Sequence, residues 1–108
     1  MARRSEEIER KIFTYEEAAA MLPEVQRITA VAVERVDQLG ESEDNVEQYQ
    51  SIVGEWAETI IRLGIEVKGL WLVDFDNGSG YYCWQWPEPG LQFFHGYDDG
   101  YRGRVQLN

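Results

Sequence analysis

The sequence predicts an α+β domain in which an N-terminal antiparallel helical hairpin packs on a three-stranded antiparallel β-meander, with a C-terminal tail folded back over it. Three observations carry this. Apolar residues recur at spacings of three and four from Ala18 to Leu63, the period of an amphipathic helix. After Gly64 the pattern changes to β-branched and aromatic runs punctuated by Asn77-Gly78 and Pro89-Gly90, as in strands linked by tight turns. Residues 96–108 mix three glycines with charges and tyrosines, a loop with chemical content rather than a linker.

The length, 108 residues, suits one domain with one core, spanning residues 1–108. With 44% hydrophobic and 13% aromatic residues the chain is too apolar to be disordered. Its net charge of −10 repels polyanions, so nucleic acid and anionic membranes are disfavoured as partners. A single cysteine excludes an intrachain disulfide and fits a reducing, cytoplasmic setting. Residues 1–12 read as a flexible arm. Arg3-Arg4 is followed by Ser5-Glu6-Glu7 instead of an apolar segment, so neither a signal peptide nor a spanning helix is expected.

The helical hairpin is expected over residues 13–63. Thr14 as N-cap and Glu17 three residues on form a capping box, which satisfies two of the helix's orphan donors. Ala18, Leu22, Val25, Thr29, Ala32, Val36 and Leu39 follow as a seam, widened by Met21, Ile28 and Val31. Pro23 lacks the donor for the carbonyl four residues back. This predicts either a short helix to about Leu22 followed by a longer one, or one kinked helix. Gly40 is a stop signal. Ser42 or Asp44 can cap the next helix, whose seam reads Val46, Tyr49, Val53, Trp56, Ile60 and Leu63 before Gly64. Such stripes read as core, not as ligand boxes.

The meander is expected over residues 64–95. Ile65–Lys68, continued by Leu70–Phe75, makes the first strand, Tyr81–Trp86 the second and Leu91–His95 the third. A two-residue Asn77-Gly78 turn would pair Asp76 with Ser79, Asp74 with Tyr81, Leu72 with Cys83 and Trp71 with Trp84. A four-residue Pro-Gly turn would pair Trp86 with Leu91, Trp84 with Phe93 and Tyr82 with His95. Alternation then places Val67, Trp71, Val73, Tyr82, Trp84, Trp86, Leu91, Phe93 and His95 on one face. The other carries Leu70, Leu72, Cys83 and Phe94, rimmed by Lys68, Asp74, Gln85 and Gln92, and Gly69 lies opposite Trp86. Both faces have apolar centres, yet one helical layer covers only one of them. The second needs the tail or another subunit, and a homodimer is the expectation.

Candidate sites centre on the only histidine, His95, which precedes Gly-Tyr-Asp-Asp-Gly. His95 with Asp98 and Asp99 could bind a divalent metal or act as an acid–base pair; the plainer role is an imidazole stacked beside Tyr82. A closed zinc site needs four ligands, and one Cys with one His cannot supply it. A Cys83–His95 thiol dyad is disfavoured because the expected register puts the two on opposite faces, leaving Cys83 a small buried apolar group. Asp74-Phe75-Asp76-Asn77-Gly78 fails as a calcium loop, since glycine falls at position five and Gln85 stands where glutamate is required. Arg102 and Arg104 could hold a phosphate or carboxylate, or pair with Asp98, Asp99 or helix acids. Lys68 and Asp74 share a face as a rim pair or as part of a pocket with the tail. No nucleotide loop, and hence no nucleotide cofactor, and no hydrolase motif is recognised.

The succession Phe13-Thr14-x-Glu16-Glu17-Ala18, Leu22-Pro23-Glu24-Val25, Gly64-Ile65-x-Val67-Lys68, Leu72-Val73-Asp74-Phe75, Cys83-Trp84, and His95 with Gly100 and Arg104 resembles a bacterial family, domain of unknown function 2203. The resemblance runs from Phe13 to Leu107. It departs at Phe94, where the family usually has tryptophan, and in a shorter link between Lys68 and the Leu-Val-Asp-Phe run. It implies a similar fold and a bacterial cytoplasmic origin, and supplies no reaction.

Two functions are expected. The first is a noncatalytic homodimeric domain that recognises a partner protein through its aromatic sheet or hairpin. The second is a small-ligand or divalent-metal-binding protein, or an enzyme, using Lys68, Asp74, His95 and Arg104, with Asp98 and Asp99 for a metal. The lack of a complete catalytic constellation favours the first.

Overall fold

The structure is a computed structural model and describes residues 11–107, so most of the arm expected over residues 1–12 lies outside the described residues. Two helices are followed by an antiparallel sheet of five strands. Helix α1 spans Tyr15–Leu39. Its capping box forms as expected: the Glu17 N–H donates to Thr14 Oγ1 at 3.0 Å and the Thr14 N–H to Glu17 Oε1 at 2.9 Å. Pro23 does not end the helix, which runs through it without a break. Pro23 is exposed, so its missing bond falls near solvent and its ring meets no core neighbour. Gly40, at φ 75°, closes α1.

A short 3-10 turn, Glu43–Asn45, is capped by Ser42 Oγ and leads into helix α2, Val46–Arg62. Ala18, Leu22, Val25, Thr29 and Ala32 of α1 face Ile52, Trp56 and Ile60 of α2. The α2 seam therefore passes through Ile52 rather than Val53. Val46 and Tyr49 are exposed, in the first turns of α2 beside the connecting loop that closes the hairpin. The one polar pair in this layer is satisfied, with Trp56 Nε1–H donating to Thr29 Oγ1 at 2.8 Å.

The sheet differs from the expected meander in number and register. Its strands are β1 (Glu66–Gly69), β2 (Leu72–Asp76), β3 (Gly80–Gln85), β4 (Phe93–Gly96) and β5 (Val105–Gln106), in the order β1-β2-β3-β4-β5. The run read as one first strand folds on itself at Gly69-Leu70-Trp71, with Trp71 at φ 57°. The tail supplies β5, which pairs with β4, and the Leu107 N–H donates to the Gln92 carbonyl at 2.7 Å.

The β2–β3 turn centres on Gly78-Ser79 instead of Asn77-Gly78: the Asn77 N–H donates to the Gly80 carbonyl at 2.9 Å, and the Asn77 side chain accepts from the Ser79 and Gly80 N–H groups. Asp74 therefore pairs with Cys83, and Val73 with Trp84. That is two residues from the expected register, and a two-residue slip leaves every side chain on its face.

The next hairpin slips by one residue and has the opposite consequence. Tyr81 pairs with His95, Tyr82 with Phe94 and Cys83 with Phe93. The Pro-rich connection is longer than a four-residue turn, because Glu88 organises it. Its carboxylate takes the Gln85 N–H at 2.9 Å, and its carbonyl takes Trp84 Nε1–H at 2.8 Å. Gln85, still paired with Leu72 of β2, is thereby withdrawn from pairing with β4, and β4 is turned over. A one-residue slip moves every side chain of a strand to the other face. His95 and Phe93 thus leave the helix-facing side, and Phe94 joins it, edge-on to Tyr82 at 6.1 Å.

The core lies between the helices and the face bearing Val73, Phe75 and Trp84. The opposite face is covered by the chain's own tail. Tyr97 packs edge-on to Tyr81 at 5.1 Å, and the Arg104 guanidinium lies 4.0 Å from the centre of the Phe93 ring. The tail thus supplies one of the two covers expected for this face, the other being a second subunit.

Candidate functional site

Alternation along the inner strands fixes what lies beneath the tail. Asp74 on β2, Cys83 on β3 and His95 on β4 are 1%, 1% and 3% exposed. Each presents one ligand-type atom, and the carboxylate oxygen, Sγ and ring nitrogen all lie within 4.8 Å of one another. Cys83 and His95, expected on opposite faces, share this one because of the turned-over β4.

Asp74 organises the centre. Its Oδ2 meets His95 Nε2 at 2.9 Å and accepts from Lys68 Nζ at 3.1 Å, while its Oδ1 is buried without a hydrogen-bond partner. His95 Nδ1 lies 2.8 Å from the Gly96 carbonyl oxygen. Both ring nitrogens thus face oxygen atoms. Lys68 also sits 3.5 Å from Glu66 and 3.9 Å from the Tyr81 ring centre. Burial works to lower its pKa, but the bond and charge of Asp74, helped by Tyr81 and Glu66, hold it above the ordinary lysine value.

Burial, and then the neighbouring Asp74 carboxylate, push the Cys83 thiol up to about 12, against a smaller opposing pull from Arg104. A thiol so placed is not an activated nucleophile. Arg104 Nη1 approaches Sγ at 3.9 Å, but its two ends grip Glu88 at 3.1 and 2.9 Å. The partner of Arg104 is therefore Glu88, not Asp98, Asp99 or a helix acid. A planar fork already engaged by a carboxylate borders the site without offering itself to an anion.

Beneath the tail lies a cavity of about 250 Å³, with Asp74, Cys83 and His95 on its floor and Lys68, Tyr97 and Tyr101 among its walls. Of the residues expected at a site, Lys68, Asp74 and His95 come together there and Arg104 reaches its edge. Asp98 and Asp99 are exposed on the following loop, where Asp99 Oδ2 accepts the Gly96 N–H at 3.1 Å. Among the described residues, the three-ligand group is Asp74, Cys83 and His95. Sequence reasoning missed Cys83, Tyr97, Tyr101 and Glu88. The available signal was the two prolines between Trp86 and Leu91, which make a tight four-residue turn the less natural connection.

Fold and site define a small α+β domain with a buried polar centre roofed by its own C-terminal tail. The chain belongs to the family described as "Uncharacterized conserved protein (DUF2203)", whose profile matches residues 31–107. That stretch takes in α2, all five strands and every residue of the polar centre; the family is the one the sequence resembles, while the motifs between Phe13 and Val25 lie outside the matched residues. No curated protein and no solved structure matches the chain. Among the described residues, no helix is long and apolar enough to cross a membrane.

Proposed function

We propose that the protein is a noncatalytic binding domain of a reducing, cytoplasmic setting, taking a small polar ligand or an ion in the cavity beneath the tail. One observation carries this: Asp74, 1% exposed, keeps Oδ1 unpartnered at the cavity floor. A buried carboxylate costs stability unless its oxygens are bonded, and buried polar atoms without partners are rare enough to need a reason. An incoming ligand that satisfies Oδ1 supplies one. The protonated Cys83 and the Glu88-bound Arg104 support binding over catalysis. The alternative, a homodimer recognising a partner protein through a bare sheet face, loses support because the tail occupies that face.

The test is native mass spectrometry of the full chain, as purified and after incubation with a panel of small carboxylates, amines and divalent metal salts. The expected result is added mass that is lost on denaturation and absent in Asp74→Asn. A bare native mass across the whole panel would contradict the reading. A ligand present at a hundred times its Kd also stabilises the fold by about 2.7 kcal/mol, an effect that a thermal melt registers.

A further inference from the structure

We propose that Asp74, Cys83 and His95 form a site for a thiophilic divalent metal ion of the zinc class, bound through Asp74 Oδ1, Cys83 Sγ and His95 Nε2. The inference rests on the reading of the cavity as a ligand site and names its occupant. The donor set is the first argument. A carboxylate oxygen, a thiolate and an imidazole nitrogen suit Zn²⁺, whereas Mg²⁺ and Ca²⁺ take oxygen ligands.

Spacing is the second argument. Metal–ligand bonds of about 2.0–2.3 Å in a tetrahedron set ligand atoms roughly 3.3–3.8 Å apart. One carboxylate oxygen of Asp74, Cys83 Sγ and one ring nitrogen of His95 lie within 4.8 Å of one another, so tetrahedral spacing asks the three side chains to close by about 1 Å. Asp74 Oδ1, nine-tenths buried and more, is the oxygen that lacks a partner. It can take the ion while Oδ2 keeps Lys68.

Charge closes as well. A divalent ion balances one carboxylate and one thiolate, while Lys68 with Glu66 and Arg104 with Glu88 stand outside as neutral pairs. On binding, the thiol proton and the Nε2 proton leave to solvent, and a metal's charge reverses the local preference for the protonated thiol. The outer partners are already placed. His95 Nδ1 is fixed by the Gly96 carbonyl and Cys83 Sγ is approached by Arg104, as supporting groups fix the ligands of metal sites. Three protein ligands leave a fourth position, which opens on the cavity wall of Tyr97 and Tyr101.

The test titrates Co²⁺, then Zn²⁺, into the chelator-treated full chain. The expected result is one Co²⁺ per chain with a thiolate-to-cobalt charge-transfer band, displaced by Zn²⁺. Cys83→Ala should abolish the band and weaken binding at least tenfold with the circular dichroism spectrum unchanged; Cys83→Ser serves the same purpose should Ala disturb the fold. Asp99→Asn, outside the cluster, should bind as the parent does. Absence of stoichiometric binding, or binding indifferent to Cys83→Ala, overturns the metal assignment. If native added mass sensitive to Asp74→Asn persists without any metal binding, only the metal inference falls. If neither is seen, the binding-domain reading falls with it.

Discussion

In the metal-free protein, Cys83 should resist alkylation far more than an ordinary thiol, and its environment sets the size of the effect. Burial and the Asp74 carboxylate raise its pKa from 9.0 to about 12. Below pH 9 a three-unit rise leaves about a thousandfold less thiolate, the reactive form, than in the unfolded chain. A more basic thiolate is also the better nucleophile, which returns part of that factor; the closed tail, which must open for the reagent, removes it again. The sign for stability follows. The folded pKa lies above the unfolded one, so the contribution is fully present below pH 9 and is lost as pH rises toward 12. The assay follows iodoacetamide labelling by intact mass from pH 7 to 10, with and without urea. Labelling in urea should level off above pH 9, whereas the folded protein should label slowly and still accelerate about tenfold per pH unit at pH 10. A folded rate within tenfold of the unfolded rate at pH 8, or a plateau near pH 9, would refute the burial of Cys83 beside the Asp74 carboxylate.

Three further outcomes follow from particular contacts. Thr29→Val removes the acceptor of the buried Trp56 indole and should cost about 1–3 kcal/mol in urea denaturation, with native mass and ligand binding unchanged. Gly80→Ala would set a methyl 2.5 Å from Phe94 Cζ and 2.7 Å from the His95 carbonyl oxygen. The ring can turn but the strand backbone must move, so a loss of about 1–3 kcal/mol should accompany shifted His95 ring resonances in the NMR spectrum. Truncation after Gly96 removes Tyr97, Tyr101, Arg104 and β5 and uncovers Phe93 and Cys83. Size-exclusion chromatography should then show self-association, while an unchanged monomeric elution would mean that the tail is not the cover.

The helical layer was legible because its determinants are local. Thr14 and Glu17 lie three residues apart, Gly40 follows the last seam residue, and the Ala18–Ala32 stripe needs only the helical period to be read as core. Pro23 left a break and a continuous, kinked helix both open, because its cost depends on whether the freed carbonyl is near solvent, which only the packed helix decides. In the sheet, alternation was legible and register was not. The β2–β3 turn was misjudged by two residues, yet Asp74 and Cys83 kept their face because the side-chain period is two. The β3–β4 connection was misjudged by one, and that parity decided the site. It separated His95 from Cys83 and Asp74 on paper, and brought Tyr82 to it instead of Tyr81. The determinant is Glu88, whose carboxylate caps Gln85, an interaction that strand periodicity does not encode. Lys68, Asp74 and His95 were recognised by residue type and position. Their convergence depended on the tertiary register.

The central claim is that His95 lies beneath the tail with Asp74 and Cys83, not against the helices. The protein has one histidine, so its ring protons give a single set of nuclear Overhauser contacts. The structure predicts contacts from the His95 ring to the Tyr81 ring, whose centre lies 5.3 Å away, and to the Cys83 β-protons. Contacts to Tyr82 and Trp84 instead would return His95 to the core face and dismantle the site.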